Sequence, residues 1–276
     1  MNRLSTTLAI ALTASCATLA AGCGSSSPQT SSASVSPISG MSPRAQYAAF
    51  AQVVNLRSAD LPGFEEEAKR RERFHVENRA LEGGAVYRRC FSRVNKSKPV
   101  FKARSHTFKS GRGLTSVNVS SIVEVMRSAR AADQEMTAVQ SLLESASARN
   151  CLSRLFDQLG SAAQTKRVGR GALRITVGKL AIAPVHLSKL PSGSTAAAGF
   201  TMTMNVAYHV SVAERHLTIP ETLRLDILGL AFGRAEVSLA TTVLGAPFPV
   251  GTEARLVGLL ASRASTARRL YAGVNG

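Results

Sequence analysis

The chain has 276 residues, is 45% apolar, and carries a formal charge of +17 from 34 Lys and Arg against 17 Asp and Glu. That is enough chain and enough apolar residue to bury a sizeable core, which excludes a disordered polyelectrolyte. Trp is absent and aromatics are only 5%, so the core must be built mainly from Leu, Val and Ala.

Met1 and Arg3 supply positive charge, and Leu4 to Ala21 then runs without a charged residue or a proline. This is the layout of a secretory leader. Ser5, Thr6, Thr7, Thr13, Ser15 and Thr18 make the stretch too polar for a span, which needs about 20 predominantly apolar residues. The segment closes as Leu19-Ala20-Ala21-Gly22-Cys23 and continues as Gly24-Ser25-Ser26-Ser27. It resembles the lipobox of bacterial lipoproteins, with Leu19 one place early and Ala20 where the family usually carries Leu. The resemblance implies a signal peptide over 1–22, acylation (palmitate-type chains) of Cys23 as the mature N-terminus, and attachment to the outer face of the cell membrane. A diacylglycerol on Cys23 meets the need for at least two chains in stable anchoring. Ordinary cleavage with free secretion is the alternative.

Four cysteines then divide. Cys16 leaves with the leader and Cys23 takes lipid, so Cys90 and Cys151 remain in an oxidising compartment and read as one disulfide. Two buried free thiols are the alternative. Export also changes the reading of the charge. The leader removes only Arg3, leaving +16, and outside the cytoplasm the abundant polyanions are lipid headgroups and wall polymers rather than nucleic acid. A basic surface that only confers solubility is the plainer reading.

Residues 23–43 are Ser, Pro, Gly, Ala and Thr with almost no apolar bulk, a flexible tether. A single domain is expected over 44–272. Tyr47, Phe50, Ala51 and Val54 fall at helical spacing, and Asp60-Leu61-Pro62-Gly63 makes a turn. Glu65, Glu66 and Glu67 stand four before Lys69, Arg70 and Arg71, which predicts a solvated helix. From Arg88 to Arg112 the chain holds Arg88, Arg89, Arg93, Lys96, Lys98, Lys102, Arg104, Lys109 and Arg112 with no acid, interleaved by Phe91, Phe101 and Phe108. This stretch is the candidate surface for anionic headgroups or wall polymer. Alternatively the phenylalanines are core residues of a hairpin whose outer face is basic; the two readings are compatible.

Leu114 to Met126 alternates, with Val117, Val119, Val123 and Val125 on one face, which predicts a strand. One long helix is expected from Ala129 to Leu159, with Cys151 on its inward side. Strands are expected over Arg174–Val185 and Ala198–Val212, and as a pair across a turn at Gly229 to Arg234. Thr252 is the expected N-cap of a last helix carrying Leu256, Val257, Leu259, Leu260 and Ala264 inward. Consecutive strands with short turns imply an α+β fold, a central antiparallel sheet flanked by helices.

Asp60-Leu61-Pro62-Gly63, the strand Val117 to Val125, Cys151-Leu152, Gly233-Arg234 and Arg263 together resemble a group of actinobacterial envelope proteins. The group includes the extracellular sensor domain of mycobacterial serine/threonine protein kinase H, which is similar in fold to the Mog1/PsbP superfamily. The resemblance implies a sheet sandwiched by helices and a non-catalytic, sensor-like domain binding a small molecule, lipid or protein. Kinase H's domain has two disulfides, whereas this chain has cysteines for one.

Nothing in the sequence marks an enzyme. There is no Gly-x-Ser-x-Gly elbow, no Walker loop and no His-Glu-x-x-His helix. Gly111 and Gly113 read as a turn. His209, Glu214 and His216 match no metal spacing, His75, His106 and His186 are isolated, and no cofactor is implied. An envelope hydrolase without a recognisable motif is the remaining alternative.

Overall fold

In the computed structural model the chain divides into two units, Met1–Ser34 and Val35–Gly276. The structure describes residues 40–67, 98–112, 115–161, 165–168, 171–212, 215–245, 248 and 251–275, all within the second unit. The leader, the tether up to residue 39, Cys23, Cys90, Phe91 and the basic residues Arg88, Arg89, Arg93 and Lys96 lie outside the described residues.

Helix α1 (Pro43–Val54) starts where Ser42 accepts a hydrogen bond from the Ala45 N–H and Pro43 presets the first turn. Its stripe of Tyr47, Phe50, Ala51 and Val54 is buried, as the spacing predicts. A short 3-10 turn follows at Ser58–Asp60. The predicted charged helix is not formed in its described part. Glu65–Glu66 is instead a short strand, β1, paired with Phe108 and Lys109. Three consecutive glutamates support a helix only through pairs four residues on, and a free strand edge at β3 offers them backbone bonds instead.

Strands β2 (Phe101–Arg104) and β3 (Phe108–Arg112) both pair antiparallel with β4 (Thr115–Val125). They form one hairpin arm, interrupted at residues 105–107 where the register slips by one. Such a bulge reverses the parity of the strand. Phe101 and Phe108, seven residues apart, therefore face the same side. Both join the core, Phe108 at 1% exposure, with Val117, Val119, Val123 and Val125 from β4. Phe101 and Phe108 are core residues of a hairpin, one of the two readings the sequence left open.

The single long helix is two: α2 (Ala129–Glu144) and α3 (Ala146–Ser161), parted at Ser145. Ser145 adopts an extended conformation, and its N–H donates to both the Ser141 and Leu142 carbonyls. Arg149 caps the end of α2 by donating to the Leu143 and Glu144 carbonyls. The break re-phases the apolar stripe, since Leu143 and Ala148 are both buried although five apart, while Ala146 between them is exposed. Cys151 is half-buried beside the buried Leu152 on α3.

Strands β5 (Thr165–Val168), β6 (Gly171–Pro184), β7 (Ala196–Val212), β8 (Arg215–Phe232) and β9 (Ala235–Leu244) complete the sheet. Its order is β1-β3-β4-β9-β8-β7-β6-β5, with β2 on the other end of β4, and every pairing is antiparallel. The turn expected across Gly229 to Arg234 is only Gly233–Arg234, and β8 runs straight through Gly229. Gly233 has φ +58° and a Cβ there would sit 2.7 Å from the Val274 carbonyl oxygen, so only glycine fits. Gly229 instead admits α2, because a Cβ would meet the Met136 sulfur at 3.1 Å.

Helix α4 (Thr252–Leu270) is capped by Gly251 in the left-handed region, with Thr252 the first helical residue rather than the N-cap. The peptide turns into the helix at φ +77°, which Gly tolerates and a β-branched residue does not. Leu256, Leu260, Ala261, Ala264 and Ala267 bury against α1 and the valine face of the sheet. A smaller cluster of Met126, Ala132, Met136, Ala198 and Ala231 holds α2 to the opposite face. The fold is α+β, a central antiparallel sheet with helices on both faces.

Candidate binding face

The two sides of the sheet differ in how completely they are covered. On the α4 side the residues of β4 and β9 are sealed. On the α2 side, small residues seat the helix. Ala196 pairs with Ala231, and Ala198 with Gly229. Beyond them the floor changes character.

Alternation builds that floor. Along β7, Phe200, Met202, Met204 and Val206 share the α2 side, while Thr201, Thr203, Asn205 and His209 share the other. The antiparallel register sets Ile227, Leu225 and Leu223 of β8 directly opposite Phe200, Met202 and Met204. Their odd numbers fall on the same face as the even numbers of β7, and the polar residues His216, Thr218, Thr222, Arg224 and Asp226 fall on the reverse. Phe200, Met202, Met204, Leu223, Leu225 and Ile227 are each half-buried. Side chains in a filled core would be nearly sealed, and side chains on an open surface would be mostly bare. Their intermediate exposure matches partial cover by α2, which packs on β7, β8 and β6, with α3 packed against β6.

Pairing across the whole sheet orders the floor into rows. One row runs Lys109, Asn118, Thr242, Leu225, Met202, Ile182 from β3 to β6. A second runs Ser120, Ala240, Ile227, Phe200, Pro184. The first passes from polar groups on β4 and β9, and the second from a polar group on β4 alone, to apolar ones on β8, β7 and β6. Nearer α2, Arg104 leads a row through Ile122 and Ser238 to Gly229. The face thus grades from basic, through small hydroxyl and amide groups, to hydrocarbon.

Of the described basic residues, Lys102, Arg104 and Lys109 all stand on this face, because the bulge at 105–107 brings even-numbered and odd-numbered cations to the same side. Lys102 is held by Glu124 at 2.7 Å. Arg104 and Lys98 are exposed and Lys109 is half-buried. Arg112 ends β3 opposite Thr115.

At the α2 end of the same face lies Glu236, 4% exposed, with Glu124 opposite it on β4 and Glu135 of α2 beside it. Its Oε1 has no hydrogen-bond partner. Burial, reinforced by the charges of Glu135 and Glu124, pushes its carboxyl up to about 8, so it is protonated at neutral pH.

The histidines play other parts. His209 bridges the hydroxyls of Thr176 and Thr218 at 2.9 and 3.1 Å, and His216 meets Ser211 at 2.9 Å. His106 meets Glu66 at 2.9 Å, and His186 lies 3.4 Å from Gln140. Glu214 and His75 lie outside the described residues. Among the described residues no group of three or more His, Cys, Asp or Glu is arranged to hold a metal, and no helix is long and apolar enough to cross a membrane.

The residues that carried the family resemblance hold the fold together. Arg234 donates to the Met126 and Gly273 carbonyls and lies 5.5 Å over the Tyr47 ring. Arg263 grips Asp60. No family model matches the chain, and no curated protein matches it in sequence. Among solved structures, the extracellular domain of PknH from Mycobacterium tuberculosis is similar at 8% identity and a TM-score of 0.26, over 65% of this chain and 70% of that one. At that TM-score the likeness carries no argument about this protein.

Proposed function

We propose that this protein is a lipid-anchored domain on the outer face of a bacterial membrane, and that it binds a ligand or partner non-catalytically on the α2 face of its sheet. One observation carries the binding reading: the half-buried apolar floor made by Phe200, Met202, Met204, Leu223, Leu225 and Ile227. The leader and the Leu19-Ala20-Ala21-Gly22-Cys23 sequence support the anchor at Cys23. A Cys90–Cys151 disulfide belongs to the same reading, since the compartment beyond the membrane is oxidising. A sensor-like role within the Mog1/PsbP group is the finer form of this proposal.

The test uses N-phenylnaphthylamine, an uncharged apolar probe whose emission rises in a dry site. The chain contains no Trp, so intrinsic fluorescence interferes little. Saturable binding of one probe per chain, weakened about tenfold by Met202→Asp with an unchanged circular-dichroism spectrum, is the expected result. Binding that is absent, or indifferent to Met202, overturns the reading.

Lys98 and Arg104, both exposed, favour a second reading in which the basic stretch docks on anionic wall polymer or membrane. Association with anionic vesicles should then fall steeply as salt rises, and the set Arg93, Lys96, Lys98, Lys102 and Arg104 changed to Gln should abolish it. Association that ignores salt would exclude this mode.

A further inference from the structure

We infer that α2 is a proton-latched lid: it lies against β7, β8 and β9 while Glu236 keeps its proton, and it lifts from them when Glu236 is ionised. The inference rests on the binding reading above and supplies its regulation, because α2 covers part of the floor proposed to bind.

The latch is built where three elements meet. A row of Lys102, Glu124, Glu236, Ala231 and Ala196 crosses the sheet from β2 to β7. Glu236 is 4% exposed, and its Oε1 has no hydrogen-bond partner. Facing it, β4 presents Glu124, α2 presents Glu135, and β8 presents only Ala231. Lys102 is taken by Glu124 at 2.7 Å, and Arg104 stands one row further on, in line with Ser238. On α2, Arg130 is exposed, as is Arg127 before it, and Asp133 is held by Thr195. Among the described residues no cation pairs with Glu236. A carboxylate there has two like charges beside it and no counter-charge, whereas a neutral carboxyl meets no such repulsion.

The helix above is lightly held. Of its sixteen residues only Ala132, Met136 and Leu143 are buried. Ala132 and Met136 meet Met126, Ala198 and Ala231, a seat made largely of small side chains. Two clasps add to it: the Thr195 hydroxyl donates to Asp133, and the Gly199 N–H donates to Gln140 at 3.2 Å. Ser128 and Ser145 are extended, so a non-helical joint stands at each end of α2. Before the first joint Met126 is fixed, its N–H and carbonyl both bonded to Arg234. Small residues bring little area to a seat, and a buried carboxylate without a counter-charge is costly, so ionisation favours release. Helix α4 has no such weakness. It buries Leu256, Leu260, Ala261, Ala264 and Ala267, and its Arg263 grips Asp60.

The experiment is hydrogen exchange read peptide by peptide on the full chain with Cys23→Ser, so that it carries no lipid. Each rate is divided by the intrinsic rate at the same pH, from about pH 5 to pH 9. Protection of residues 129–144 should fall about tenfold per pH unit and level off above about 8, while that of α4 holds. Glu236→Gln, which keeps the shape and cannot ionise, should hold α2 protection constant throughout. N-phenylnaphthylamine should bind the parent more tightly at pH 8 than at pH 5, and Glu236→Gln should erase that difference.

Protection of α2 that is flat in the parent, or that falls equally in Glu236→Gln, overturns the latch; the binding reading then stands or falls on Met202→Asp alone. If α4 loses protection in step with α2, the chain opens as a whole and there is no lid. If α2 loosens while probe binding that depends on Met202 ignores pH, the helix moves without gating the face and the inference falls. If α2 loosens as expected and no probe binds at any pH, the latch stands and the binding reading falls.

Discussion

Arg263 of α4 holds both carboxylate oxygens of Asp60, at 2.7 and 2.6 Å, across 203 residues of sequence. The neighbouring Arg255 donates to the Asp60 carbonyl, the Arg57 N–H donates to its carboxylate, and Arg263 also reaches the Asn55 carbonyl. One side chain thus fastens the last helix to the loop that ends the first. The Asp60 side chain is 8% exposed and that of Arg263 22%, so this pair is screened far less than a surface pair.

Breaking it should therefore cost more than a surface ion pair does. Removing one partner leaves the other charge buried, a loss on the order of 3 kcal/mol. Burial on its own would raise the Asp60 carboxyl, but the Arg263 hydrogen bond, the Arg57 N–H and the charges of both arginines outweigh it and hold the group low. Stability from a lowered carboxyl is present above the unfolded value of 3.8 and is lost as pH falls through the folded one. Arg263→Ala should lower the urea midpoint at neutral pH and flatten the acid limb below pH about 4. An acid limb as steep as that of the parent would show that other carboxylates govern it.

Glu236 has the opposite sign. Its carboxyl is raised from 4.5 to about 8, so the folded chain keeps a proton that the unfolded chain has released. Stability from this group is full below 4.5 and drains away as pH climbs through about 8. Each tenfold difference in proton affinity between the folded and unfolded chain is worth about 1.4 kcal/mol, so the drain amounts to a few kcal/mol. Glu236→Gln keeps the shape and removes the titration. The variant should melt higher than the parent at pH 8, and the two should converge near pH 4.5. Parallel melting curves across that range would mean that Glu236 is already ionised in the fold.

Much of this architecture was readable in the residues themselves. The α1 stripe and the valine face of β4 follow from periodicity alone, because each buries one side against a large neighbour, and the alternation near Ala198–Val212 marks the strand there. The proposed binding face was half legible. Alternation through Phe200, Met202 and Met204 signals an apolar side, but not how far it is covered, which depends on where α2 and α3 pack against β7, β8 and β6. The position of Arg104 and Lys109 beside it was not readable. It hinges on a bulge at Ser105, where the Ser105 hydroxyl accepts from the Ser121 N–H, and no spacing rule announces such a slip. The split at Ser145 was hidden for a related reason: serine tolerates a helix, and only the tertiary phase of Leu143 and Ala148 forces the break.

Two glycines with similar backbone angles make a controlled comparison. Gly233 has φ +58° and would press a Cβ against the Val274 carbonyl oxygen, whereas Gly251 has φ +77° and open space around it. Alanine at either site incurs the left-handed conformational penalty of about 1 kcal/mol. Only Gly233→Ala adds a backbone clash. It should lower the melting temperature clearly more than Gly251→Ala, and equal losses would place the whole cost in the backbone angle.

A thiol count on the protein recovered from the membrane fraction tests the proposed anchor and the proposed disulfide together. On the proposed reading, leader removal takes Cys16 away, acylation turns Cys23 into a thioether that reductants do not touch, and a Cys90–Cys151 bond leaves nothing to titrate. Denatured without reductant, the chain should show no free thiol; after reduction it should show two. One thiol before reduction would mean that Cys23 is not acylated, and two would mean that Cys90 and Cys151 are unpaired. Closing a loop of about 60 residues stabilises by roughly 4 kcal/mol in the chain-entropy account. Reduction should accordingly lower the melting temperature by several degrees. A chain that gives the expected thiol count but melts unchanged on reduction would hold a disulfide that constrains little of the fold.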